Sequence, residues 1–171
     1  MPAAPSAHRQ SLTLPPSMGR LSAAALATMA EGLASAVTAE SVPLAPGAER
    51  CFARLLATPD YEVWLIAWAA AGALELHDHG GSNGVVCVVE GQLGETYTDL
   101  VERHPLRSVI ISPGQPRDIP VTRVHEVWNP GPAPALSVHA YSPPLRTMTF
   151  FDHRPERFLE PQRSEHGDLA G

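Results

Sequence analysis

Three histidines define the chemistry this chain could carry. In Leu76-His77-Asp78-His79-Gly80-Gly81 two imidazoles stand at i and i+2. On an extended chain such residues project to the same side, so both rings can reach one ion. His125 comes far enough along for a few antiparallel strands to fold it back to the same point. Three neutral imidazoles leave a divalent ion with its full charge and an open face, where an anionic ligand such as a thiolate binds with its pKa lowered. The same donors hold zinc with water in a fourth position, so spacing alone leaves the metal open. A bare HxH also reads as a solvated loop tip, and the surroundings must decide between the two.

The elements that would position these residues are legible from texture. Leu21–Val37 (LSAAALATMAEGLASAV) has high helix propensity, with Leu21, Ala25, Met29 and Leu33 at four-residue spacing, and reads as an amphipathic helix. A Pro/Gly-bearing link follows, then a short helix over Cys51–Leu56. Tyr61–Trp68 is β-branched and aromatic and reads as a buried strand. Further short strands are expected at Gly84–Val89, Gln92–Asp99, Ser108–Ile111, Arg117–Val121, Ala135–Tyr141 and Arg146–Phe151. Turn signals separate them, among them Gly80-Gly81, Glu90-Gly91, Pro113-Gly114 and Asn129-Pro130-Gly131. Many short strands punctuated by Gly and Pro indicate an all-β sandwich or barrel with an N-terminal helix, and a jelly roll fits. The expected organisation is one domain over residues 1–171: a loose arm at 1–17, a mainly helical part at 18–58, a β-barrel at 59–152 and a polar tail at 153–171.

Bulk composition narrows the partners. The 171 residues are 44% hydrophobic and 18% charged, which is globular composition. Net charge is −6, and the 12 basic residues, all arginine, are scattered, so no nucleic-acid or anionic-lipid footprint is expected. Cys51 and Cys87 make no disulfide framework in a chain of this size. The N-terminus lacks an apolar run after a basic start, and no stretch approaches the roughly 20 apolar residues of a membrane span. A soluble, cytoplasmic protein is the expectation, with its oligomeric state open.

The histidine pattern resembles the cupin motifs. In that family HxH is followed by a glutamate and then a glycine; here His77, His79 and Gly91 fit, and Gly84 stands at the glutamate position. The second cupin motif ends in His and Asn, which His125 and Asn129 match. This implies a cupin-type jelly-roll β-barrel whose site holds three histidines and no carboxylate. Two further segments, LHDHGGSNGVVCVVEGQLGET and LSVHAYSPPLRTMTFFD, resemble the cysteine dioxygenase family over about residues 50–152.

That resemblance implies roles. His77, His79 and His125 would ligate Fe(II). Tyr141 would direct its hydroxyl at substrate and O2, ordered by Ser137 and His139; the three alternate along one strand and so share a face. On a solvent-facing strand they would be no more than a polar stripe. An arginine would grip the substrate carboxylate through its bidentate fork, with Arg54 the positional match and Arg50 its neighbour. Animal members carry a cysteine that crosslinks to the tyrosine; Gly84 stands there, so Tyr141 is expected unmodified, with Cys87 on the opposite strand face as a core thiol. The Ser142–Pro143 bond matches a family position that is cis. The implied reaction oxidises a small thiol carboxylate with O2 to its sulfinic acid, L-cysteine first and 3-mercaptopropionate as the alternative. A non-catalytic metal- or ligand-binding cupin, and a zinc or nickel cupin acting on another substrate, stay open. Glu75 and Asp78 read as exposed loop carboxylates, His104 and His153 as turn residues, and Trp64, Trp68 and Trp128 as core or pocket lining.

Overall fold

The structure, a computed structural model, describes residues 19–154 and 157–166; the expected loose arm at 1–17 lies outside them. Among the described residues an α-helix, α1 (Ala23–Ala34), and a single 3-10 turn (Ala39–Ser41) precede the strands β1 (Arg50–Ala57), β2 (Glu62–Trp68), β3 (Ala73–His77), β4 (Asn83–Glu90), β5 (Leu93–Asp99), β6 (Arg107–Ile111), β7 (Arg117–Ile119), β8 (Arg123–Trp128), β9 (Ala135–Ser142), β10 (Thr147–Arg154) and β11 (Arg157–His166). They form two sheets, ordered β1-β2-β9-β4-β7 and β11-β10-β3-β8-β5-β6. Neighbouring strands pair antiparallel. This is the expected all-β, cupin-type jelly roll with an N-terminal helix.

Register in the first sheet decides which side chains face the second. Across β9, Tyr141 opposes Glu62 and Gly84, His139 opposes Trp64 and Val86, and Ser137 opposes Ile66 and Val88. The alternate residues Val63, Leu65, Ala67, Val85, Cys87, Leu136, Val138 and Ala140 form the other face, and Leu26 and Ala30 of α1 pack on it. The helix therefore seals the outside of the first sheet. With the second sheet covering the inside, every residue of β9 is buried. The inner layer at one end is filled by Trp68, Val86, Val88, Leu93, Ile111, Ile119, Val127 and Ala135.

The helix is shorter than the expected Leu21–Val37. It begins where the Ser22 side chain accepts the Ala25 N–H at 3.2 Å, a standard N-cap. The Leu21 N–H is spent on Ser142 Oγ at 2.8 Å, which ties the helix entrance to the end of β9.

Two expectations are corrected. Cys51–Leu56 is not a helix but most of β1, paired along its length with β2, so the part at 18–58 is only partly helical. Its Leu and Ala content favours a helix locally, but the open edge of β2 offers a full ladder of hydrogen bonds, and tertiary pairing overrides propensity. Likewise the region from residue 153 is no mere tail. β10 runs to Arg154, His153 lies in that strand, and β11 pairs back on it through a bulged register.

Truncating Leu26 to Ala should destabilise the protein by about 2–5 kcal/mol, because this fully buried side chain is a main contact of α1 with the first sheet. Urea denaturation of the variant against the parent measures it; a loss below about 1 kcal/mol would contradict the packing described.

Candidate metal and oxygen site

The second sheet carries the candidate ligand set. His77 ends β3 and sits directly across from His125 on β8. His79 follows two residues on, after Asp78, whose N–H bonds Thr149 O at 2.9 Å and whose Oδ1 accepts the N–H groups of Gly80 and Thr149. One nitrogen from each of the three rings lies within 4.8 Å of the others, and all three residues are buried. Glu75 lends only its backbone: its carbonyl accepts His77 Nδ1–H at 2.7 Å while its side chain pairs with Arg163 on the surface.

The protonation pattern suits a cation. Desolvation is the main force pushing His77 down to about 4, with the Arg50 charge adding and the Glu75 carbonyl opposing. Burial, then the neighbouring imidazoles, hold His79 and His125 well below the ordinary 6.5. With Nδ1–H of His77 and His125 engaged, their Nε2 lone pairs are left for a ligand. The Nε2 atoms of His79 and His125 lie 3.3 Å apart, so the two rings converge on one point. Three neutral nitrogen donors fit a divalent transition metal. No carboxylate can enter from position 84: a Cβ on Gly84 would lie 2.9 Å from Tyr141 Cε1, so Gly84 is what leaves room for the phenol.

The first sheet presents the second half of the site. The rings of His79 and Tyr141 are 4.9 Å apart, which places Tyr141 beside the ligands. Behind it runs a directed chain. An indole N–H only donates, so Trp68 Nε1 donates to Ser137 Oγ at 2.9 Å. Ser137 Oγ lies 2.8 Å from His139 Nε2, and His139 Nδ1 lies 3.3 Å from the Tyr141 oxygen. With the serine hydroxyl donating to Nε2, His139 carries its proton on Nδ1 and donates to the tyrosine. Desolvation keeps His139 neutral, down to about 3, and pushes the Tyr141 phenol well above its usual value, with Glu62 adding to the rise. The tyrosine oxygen thus accepts from His139 and its O–H is left to donate elsewhere. Sequence grouped these three residues; Trp68 as their anchor was taken only for lining. The Ser142–Pro143 bond is cis.

Arg54 and Arg50 both lie on the inward-facing side of β1. Arg54 opposes Trp64, which opposes His139; Arg50 opposes Trp68. The Arg54 guanidinium stacks over Trp64 at 5.3 Å and approaches the buried Glu62 at 3.9 Å, with its side chain 36% exposed. Arg50 stacks over Trp68 at 5.7 Å, and burial lowers its pKa. Cys87 faces the helix side, as expected, its thiol pushed up to about 11 by burial.

Glu95 was missed. It is fully buried and accepts His125 Nδ1–H at 3.0 Å. The signal was available: in the expected strand Gln92–Asp99 alternation puts this carboxylate on one face with Leu93 and Tyr97.

The paired sheets and the buried three-histidine centre between them define a cupin built to hold a metal. Residues 48–154 match the family described as Cysteine dioxygenase type I, and the chain belongs to that family. Cysteine dioxygenase type 1 of Danio rerio is 28% identical over 102 residues, covering 55% of this chain and 51% of that protein, so the chain spans about half the length of this relative. Among solved structures, TT1209 from Thermus thermophilus aligns with a TM-score of 0.53 at 18% identity, over 63% of this chain and 96% of its own. CapF bound to 3-isopropenyl-tropolone gives 0.51 at 19% identity, over 58% of this chain and 29% of its own. At such identities these two speak for the fold alone.

The buried histidines make stability depend on pH with a definite sign. Folded His77 and His139 titrate at about 4 and about 3, against 6.5 unfolded, so the unfolded chain binds more protons below 6.5. Their contribution is complete above that value and is lost as pH falls toward 4. The metal-free protein should lose at least about 1 kcal/mol per pH unit between about pH 6.5 and 5, measured by denaturant titration. A flat profile across that window would contradict neutral, buried imidazoles.

Proposed function

We propose that this chain is an iron-dependent thiol dioxygenase converting a small thiol carboxylate, with L-cysteine the leading candidate, to its sulfinic acid: RSH + O2 gives RSO2H. The observation that carries the reading is the meeting of a three-imidazole, carboxylate-free centre on one sheet with a proton-directed Tyr141 on the other. Fe(II) held by His77, His79 and His125 would supply positive charge favouring the thiolate form and the electrons that make O2 reactive.

The protein's own groups do the rest. Tyr141, kept protonated by burial, donates a hydrogen bond to negative charge developing on the reacting oxygens. His139 and Ser137, fixed by Trp68, hold the phenol in that sense without being consumed. Arg54 binds the substrate carboxylate. Its support is position: it stands in register with His139, one strand from Trp64, at a partly open edge where a small anion can arrive. The apolar layer of Trp68, Val86 and Ile119 beside the centre limits water and strengthens each of these interactions. Two unpaired cysteines and a thiol substrate agree with a reducing, cytoplasmic setting and a place in cysteine metabolism. No helix among the described residues is long and apolar enough to cross a membrane.

Iron-loaded protein should consume O2 with L-cysteine and release an equivalent of sulfinate, with 3-mercaptopropionate tested separately as the competing substrate. His125→Ala should abolish uptake. Arg54→Gln should lower kcat/KM for cysteine by roughly 30-fold or more, since losing a guanidinium–carboxylate pair costs on the order of 2–5 kcal/mol. No uptake with either thiol at full iron occupancy would refute the dioxygenase; unchanged cysteine kinetics in Arg54→Gln would refute that residue's role.

A further inference from the structure

The three candidate ligands do not have equal partners on their far sides. His79 Nδ1 is buried with no hydrogen-bond partner among the described residues. His77 Nδ1–H meets a neutral backbone carbonyl. His125 Nδ1–H meets a carboxylate, Glu95 Oε1, with both residues almost completely shielded from solvent. An anionic acceptor makes an imidazole a stronger donor at its other nitrogen than an amide carbonyl does, and it also fixes the ring plane.

The carboxylate is itself built in. Glu95 lies on β5, whose Tyr97 is directly opposite His125. Arg117 of β7, in the other sheet, donates from Nε to Glu95 Oε2 at 2.6 Å. Arg123 of β8 donates from Nη1 to Oε1 at 3.3 Å and to the Asp118 carbonyl at 3.2 Å. Both guanidiniums stack on the Tyr97 ring, at 4.7 and 4.4 Å from its centroid. The tight bond to Oε2 leaves Oε1 turned toward the imidazole. A lone carboxylate at this depth would be costly, and the two arginines offset that penalty while keeping its charge against His125. Two cations against one anion also leave a surplus positive charge behind the ligand set, which favours an anionic ligand on the metal.

We propose that Glu95, oriented by Arg117 and Arg123, is a positioning residue that makes His125 the strongest donor of the three and sets the affinity of the site for a divalent metal. The proposal rests on the reading that the three histidines hold a metal.

The test is titration of the metal-free full chain with Co(II) against a chromophoric chelator. Glu95→Gln keeps the size of the side chain and an oxygen acceptor but removes the charge. It should bind Co(II) about 10–100-fold more weakly than the parent and shift the visible absorption of the Co(II) complex. A merely structural tie between β5, β7 and β8 would lower the melting temperature while leaving affinity and spectrum alone. Should Glu95→Gln fail to fold, Glu95→Asp retains a charge for the arginines but falls one methylene short of His125, and the same loss is expected. A folded variant with affinity within about twofold of the parent and an unchanged spectrum overturns the proposal while the site stands. A parent protein that binds no divalent cation overturns the site and the proposal together.

Discussion

Everything in this molecule turns on the cost of placing three imidazoles out of water. Desolvation keeps them neutral, and neutrality is what leaves their nitrogens available to a cation. The second sheet pins two of them by Nδ1 bonds. The first sheet closes over them with Tyr141, and α1 covers the outer face of that sheet so that β9 can be buried on both sides. Remove the helix and the apolar face of Val63, Leu65, Leu136, Val138 and Ala140 would meet water, destabilising the sheet from whose opposite face Trp68, Ser137, His139 and Tyr141 project.

Charge is arranged in layers around this neutral centre. Position 84 has no side chain, and the space goes to the tyrosine ring. The carboxylate near the centre, Glu95, stands outside the ligand set, bonded to His125 and countered by two arginines. On the opposite side Glu62, buried beside Tyr141, faces Arg54 and accepts the Leu145 N–H at 2.8 Å, fixing the chain that leaves β9. Three neutral donors would leave a bound divalent ion its full charge, and Arg50 and Arg54 put positive charge on the edge strand of the first sheet.

Much of the site could be read from the chain because it depends on local periodicity. His77 with His79, and Ser137 with His139 and Tyr141, follow from alternation on extended backbone, and the family resemblance supplied His125. The strands with β-branched or aromatic runs, such as Glu62–Trp68 and Asn83–Glu90, were equally plain. What escaped depends on long-range pairing. Arg50–Ala57 carries a helical composition and becomes a strand only because β2 offers an edge. Arg157–His166 is too polar and too interrupted by Pro161 to announce itself, yet β10 pairs with it. The short strands Ala73–His77 and Arg123–Trp128 were not separated from the loops around them, though they carry two of the three candidate ligands. Glu95 is legible only once the strand's inward face is known.

The central claim, a thiol dioxygenase centred on three neutral histidines, is tested most directly by isotope labelling. Iron-reconstituted protein turned over with L-cysteine under 18O2 in ordinary water, with the sulfinate analysed by mass spectrometry, should place both label atoms in one product molecule. A sulfinate carrying one label atom with one from water, or no sulfinate while iron is fully bound, would contradict it.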